Sequence, residues 1–263
     1  MGLTKSNHTI KKTTSTKKKS TRKISKRKHG AQIKSATTMD CLPNEMIAEV
    51  LARLAASSPV DLFRCKQSCK VFHEISEEKQ VLQKVSLETL VYQRDWWTEE
   101  ASKPFVTRCL ESDNPEALLH RGMAQYFGGT GTTMVEQGLR NLEKAATQTS
   151  IEAAYVLSLI FLSSEEKECV NKGLEMMVNT MKAIGVKGIV ECRKKVRDMI
   201  NSMWLANKAI VESKPNISCA MREQHQVSSG WDNGYYDEDE KDNVGCQTCK
   251  CVRELDFFSS FFC

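Results

Sequence analysis

Cys246-Gln247-Thr248-Cys249-Lys250-Cys251 is the run whose residue types and spacing could do chemistry. Two thiolates separated by two residues can grip one Zn²⁺ within a turn, and a closed structural site takes four ligands around the metal. Cys246 and Cys249 make one such pair, and a second pair is absent. Cys219, His225, Cys251 and Cys263 could each complete the set, at irregular spacings. No cofactor is expected on this footing; a structural zinc is the alternative the cysteines leave open. The H-x-E and P-C-x-x-C pattern of zinc deaminases is missing.

Other catalytic arrangements fare no better. An enzyme needs a convergent set, such as a Cys–His pair or two carboxylates in a pocket. Of the five histidines, His8 and His29 lie in a basic tail, and no motif links His73, His120 or His225 to a nucleophile. Gly128-Gly129-Thr130-Gly131 lacks the Lys-Ser/Thr of a phosphate-binding loop and reads as a turn between helices. The chain is expected to be no enzyme.

The elements that would position anything chemical begin after residue 39. Residues 1–39 hold twelve Lys/Arg and no Asp or Glu, leaving 26 basic against 33 acidic side chains in the remainder. The overall +5 therefore hides a basic tail on an acidic body. The tail is Ser/Thr-rich and nearly free of large apolar groups, so disorder is expected. Its clusters Lys17–Lys19 and Lys26–Lys28 read as a nuclear-localisation signal, and a plain solvated tail is the alternative. Met1-Gly2-Leu3-Thr4-Lys5-Ser6 also fits a myristoylation pattern. No secretory h-region and no run of roughly 18 apolar residues is present, so the nucleus, the cytoplasm or both are expected. The eleven cysteines then read as reduced thiols.

Three short helices are expected between Asp40 and Leu87. Met46, Ile47, Val50, Leu51 and Leu54 recur at helical spacing and make one apolar stripe. Ser58-Pro59-Val60-Asp61 reads as a helix start, with Ser58 as N-cap and Pro59 in the first position. Phe72 and Ile75 mark a third element. So short a stretch cannot bury all its apolar surface alone, which predicts a protein partner.

Leu42-Pro43-x-Glu45, the Ile47/Val50/Leu51/Leu54 stripe, Asp61-Leu62, Arg64-Cys65 and Cys69-Lys70-x-Phe72 together resemble an F-box of the plant type. One departure is Phe72, where many F-boxes have Trp. The resemblance implies docking onto a Skp-type adaptor that joins the receptor to a cullin scaffold. Carried over residue by residue, it makes Leu42, Pro43, Ile47, Val50, Leu51, Leu54, Leu62 and Cys69 the adaptor-binding candidates.

A repeat follows. Glu116-Ala117-Leu118-Leu119 is echoed 36 residues later by Glu152-Ala153-Ala154-Tyr155, and Gln137-Gly138-Leu139 is echoed 35 later by Lys172-Gly173-Leu174. Two landmarks at nearly one offset predict stacked helix–turn–helix units. Period and small residues resemble Sel1-type or tetratricopeptide-type repeats, and the order of F-box then helical repeat resembles a group of plant F-box proteins. Some of those carry a full zinc finger of the MYND kind at the end, a pattern this chain lacks.

The expected fold is all-α: a disordered basic tail (1–39), an F-box (40–88), a helical repeat domain (89–212) and a largely irregular Cys-containing tail (213–263). The resemblance implies a non-catalytic substrate-recognition subunit of a Skp–cullin–F-box ubiquitin ligase, its repeats binding an unknown protein. A nuclear nucleic-acid binder, or a repeat scaffold outside any ligase, is the alternative. The acidic body argues against specific nucleic-acid binding.

Overall fold

A computed structural model describes residues 42–88, 102–203, 205–206, 217, 219 and 246–260. The basic tail, with its localisation and myristoylation patterns, lies outside the described residues, as do His225, the acidic stretch 231–242 and Cys263. All regular structure among the described residues is helical, as expected.

Helix α1 (Asn44–Ser57) starts behind Pro43 and carries the i,i+4 pair Glu49–Arg53. Its buried face is Ile47, Ala48, Leu51, Ala52 and Ala55. The stripe read from the sequence is therefore split. Ile47 and Leu51 turn inward, while Met46 and Val50 stay 56% and 63% exposed. Three alanines take the inward places because small side chains let neighbouring helices approach.

Helix α2 (Pro59–Ser68) begins as its sequence indicates: Ser58 Oγ accepts the Asp61 N–H at 3.2 Å, and Pro59 sits where a missing N–H costs nothing. Helices α3 (Lys70–Ile75) and α4 (Lys79–Leu82) close this first core. It gathers Leu62, Ile75, Val81, Leu82, Val85 and Leu87 with the buried face of α1.

The same core continues into α5 (Lys103–Glu111) through Phe105 and Cys109, and into α6 (Pro115–Gly128) through Ala117. Asn114 makes the joint. Its amide donates to the carbonyls of Leu82 at 2.9 Å and Val85 at 2.8 Å, and its Oδ1 accepts the N–H groups of Glu116 and Ala117. One fully buried side chain thus caps α6 and fastens the segment after α4. The first core thus runs across position 88, from the early helices into α5 and α6.

The repeat consists of α6 paired with α7 (Thr132–Thr147), then α8 (Ile151–Leu162) paired with α9 (Lys167–Asn201). Gly129 to Gly131 make the turn between α6 and α7. The 36-residue offset reappears in backbone detail. Asp113 and Thr149 both have positive φ, 62° and 70°. The residue after each bonds back to a helix carbonyl, Asn114 to Cys109 and Ser150 to Ala145, closing a Schellman turn. Asn114 and Ser150 then each cap the next helix.

The two landmark glycines also play the same part. A Cβ on Gly138 would lie 2.5 Å from Tyr126 N and 2.8 Å from Gly122 O; one on Gly173 would lie 2.8 Å from Leu162 N and 2.9 Å from Ser158 O. Tyr126 and Leu162 are 36 apart, as are Gly122 and Ser158. Both hairpins cross where only glycine fits.

Helix α8 is buried nearly all round and forms the centre of the second core. Helix α9 breaks at Gly185, whose φ of 67° and ψ of −176° suit a residue without Cβ. Beyond the break, Val196 and Ile200 are buried.

Residues 247–259 depart from the irregular tail expected. They form α10 (Gln247–Ser259), which packs against α8 and α9 and buries Cys251, Leu255 and Phe258 in the repeat core. Those three sit at i, i+4 and i+7, a helical stripe that the density of cysteines obscured.

Candidate functional site

Three places could carry function: the exposed side of the first helices, a small cavity in the repeat, and the thiols at the start of α10.

The structure divides the eight adaptor-binding candidates. Leu42, Pro43, Val50 and Cys69 are exposed. Ile47, Leu51 and Leu62 are buried in the chain's own core, and Leu54 is half-buried. The buried three hold the motif together and offer a partner nothing in this conformation. Cys69 is committed locally, its sulfur accepting the Phe72 N–H at 3.5 Å as the cap of α3. Phe72, the aromatic that departs from the family pattern, is half-buried against the first core.

Met46 and Val50, four residues apart, line one exposed side of α1, and Leu42, two residues before the helix, is exposed as well. Val60 on α2 and Val71 on α3 are also exposed, at 51% and 44%. Scattered apolar residues on a surface need no explanation; two on one helix face with a third just ahead of it do. Met46 was not among the candidates, although its place four residues before Val50 would have marked it.

The cavity measures about 60 Å³ and is lined by Glu88, Glu116, Leu119, His120, Glu152, Lys195 and Met199. Glu116 and Glu152, the two repeat landmarks, face the same space. Lys195 Nζ reaches Glu88 at 2.9 Å and Glu152 at 3.4 Å. Burial works against the Lys195 charge, but the bond it donates to Glu88 and the charges of Glu152 and Glu88 outweigh it and hold the ammonium above its ordinary value. Burial raises the Glu116 carboxyl despite the bond it accepts from Leu87 N at 2.6 Å. Burial also pushes the His120 imidazole down to about 4.

This cavity is far below the roughly 300 Å³ at which small-molecule pockets begin. Lys195 is held between Glu88 and Glu152, and no Ser, Thr or Cys is among the lining residues. Of the remaining thiols, burial pushes Cys109 and Cys251 up to about 12 and also raises Cys192, which keeps them in the unreactive thiol form. His73 is exposed on α3.

The thiols at α10 are better placed than their spacing implied. Cys219, Cys246 and Cys249 bring their sulfurs within 4.8 Å of one another. Cys219 and Cys246, 27 residues apart, lie 3.5 Å sulfur to sulfur. Cys246 caps α10, its sulfur accepting the Cys249 N–H at 3.3 Å. Cys251, considered as a fourth ligand from its spacing, instead turns into the repeat core and is fully buried. No disulfide joins cysteines among the described residues.

Comparison with known proteins agrees with this architecture. A family model described as plant tetratrico peptide repeats matches residues 88–201. Three Arabidopsis thaliana proteins named as F-box proteins are similar to the chain. One is 30% identical over 187 residues, covering 69% of this chain and 60% of its own length. Another is 22% identical over 202 residues, covering 73% and 59% respectively. The third is 25% identical over 132 residues, covering 47% and 73%. The matched part of the chain thus spans about 60% of the first two relatives. No solved structure matches.

Proposed function

The chain belongs with the plant F-box proteins that carry helical repeats, and on that premise we propose that it is a substrate-recognition subunit of a Skp–cullin–F-box ubiquitin ligase. In this reading the first three helices dock a Skp-type adaptor and, through it, a cullin. The helical repeats bind a target protein, and ubiquitin transfer is carried out by an accompanying enzyme. The chain itself is non-catalytic, a reading that the small size of the cavity and the buried, protonated Cys109, Cys192 and Cys251 support.

The observation that carries the reading is the exposed apolar pair Met46 and Val50 on α1, with Leu42 exposed just ahead of the helix. The opposite side of the same helix already fills the chain's own core with Ile47, Leu51 and three alanines. A helix that is apolar on two sides is using one for its fold and has the other to offer a partner. Of the eight residues carried over from the family motif, Leu42, Pro43 and Val50 are then the adaptor contacts. Ile47, Leu51 and Leu62 act through the shape of the motif.

Co-expression with a Skp-type adaptor tests this. The Val50→Asp and Leu42→Ala/Pro43→Ala variants should fold with unchanged melting yet lose adaptor retention at least tenfold, since an unpaired carboxylate or lost apolar anchor is costly at an interface. Failure of the intact, folded chain to retain the adaptor would overturn the proposal and leave a repeat scaffold acting outside a ligase.

A further inference from the structure

We propose that Cys219, Cys246 and Cys249 bind one structural zinc ion, which fastens the chain around residue 219 to the start of α10. This site is independent of adaptor docking and lies on the opposite part of the sequence.

The geometry suits the metal. Zn–S bonds of about 2.3 Å at the tetrahedral angle place two ligating sulfurs roughly 3.8 Å apart. Cys219 and Cys246 stand at 3.5 Å, and all three sulfurs lie within 4.8 Å of one another. A disulfide would need about 2.0 Å between two sulfurs and would leave the third thiol without a role. The donor set is all sulfur, which selects zinc over the hard, oxygen-seeking cations.

The surroundings are built as well. The Cys249 N–H already points at the Cys246 sulfur, the kind of bond that orients a metal-bound thiolate. The positive end of α10 lies at the same place and favours negative sulfur. Helix α10 is itself held rigidly. Leu255 and Phe258 are buried in the repeat core, and Glu254 is bound by Arg193 and Tyr155. The Cys246–Cys249 half of the site is therefore held in place. Ile217, two residues before Cys219, is buried in the same repeat core and brings that segment in.

Three cysteines leave one tetrahedral position. Cys251 does not take it, because residues 249 and 251 point to different sides of a helix and Cys251 faces the core. His225, Cys263 or a water are the choices that mutation separates.

Elemental analysis of the full chain, purified without chelator, should find about one zinc per chain, as a closed thiolate site retains its metal through purification. Cys246→Ser/Cys249→Ser should fall below about a tenth of that, and Cys169→Ser, on α9, should keep it. Should the double variant fail to fold, cobalt exchange into the intact chain decides: a sulfur-to-cobalt charge-transfer band is expected, and its absence overturns the proposal. A folded wild-type chain that holds no zinc after exposure to it, or a folded double variant that holds it fully, does the same.

Discussion

Tyr155 and Glu254 lie 99 residues apart in the chain and share a 2.8 Å hydrogen bond in the repeat core, the tyrosine hydroxyl donating to the carboxylate. Arg193 binds both oxygens of the same carboxylate, and its guanidinium stacks 4.8 Å from the Phe257 ring. All three polar side chains are buried, with Arg193 at 6% and Glu254 at 5% exposure. The result is a satisfied charge pair that joins α8, α9 and α10. Burial raises the Tyr155 hydroxyl well above its ordinary value, and the Glu254 charge adds to this, so it stays a donor.

Removing one member should therefore cost more than the pair contributes. Glu254→Ala leaves the Arg193 charge buried and is expected to destabilise by about 3–5 kcal/mol in urea titration. Tyr155→Phe removes one bond from a charged acceptor and should cost about 1–3 kcal/mol. A Glu254→Ala chain as stable as wild type would mean that α10 does not pack as described.

The glycine crossings make a second prediction. Gly138→Ala and Gly173→Ala each force a Cβ against main-chain atoms that cannot swing aside. The gain of about 1 kcal/mol in helix propensity is outweighed by backbone displacement, for a net loss of about 1–3 kcal/mol each. Gly131→Ser should move the other way by a few tenths, because nothing lies within 4 Å of that position and serine caps α7 at least as well. Thermal melts of the three variants check the sign.

His120 sets a pH dependence. Its folded imidazole titrates at about 4, against about 6.5 for an unperturbed histidine. The unfolded chain therefore takes up a proton that the folded chain refuses. This contribution is complete above pH 6.5 and is lost as pH falls towards 4, amounting to about 3 kcal/mol. Glu88, Glu116, Glu152 and Lys195 face the same cavity, and the raised Glu116 works in the opposite sense. Subtraction isolates the histidine: wild type should lose more stability than His120→Gln between pH 6.5 and 4. Parallel curves would show that His120 is not buried neutral.

Much of the repeat was legible because its signals are local. Glu116 and Glu152, or Gly138 and Gly173, recur because each hairpin solves the same crossing problem with the same residue. Helix starts at Ser58 and Pro59 follow from backbone groups a few residues away. Helix α10 was missed for the opposite reason. Cys251, Leu255 and Phe258 have the spacing of a buried face, but cysteines two and three apart in the same run point equally well to a metal-binding turn.

The sequence by itself determined that the chain is helical, where the hairpins turn, which residues resemble an F-box motif and which cysteines could pair. Only the tertiary structure decided that Met46 and Val50 face outward while Ala48 and Ala52 face inward, since helical spacing defines a stripe but the neighbour decides which edge is covered. It also decided that Cys219 meets Cys246, that Cys251 does not join them, and that Glu254 finds Arg193. Such partners are dozens of residues apart, and no local periodicity encodes a contact made only when distant helices close on one core.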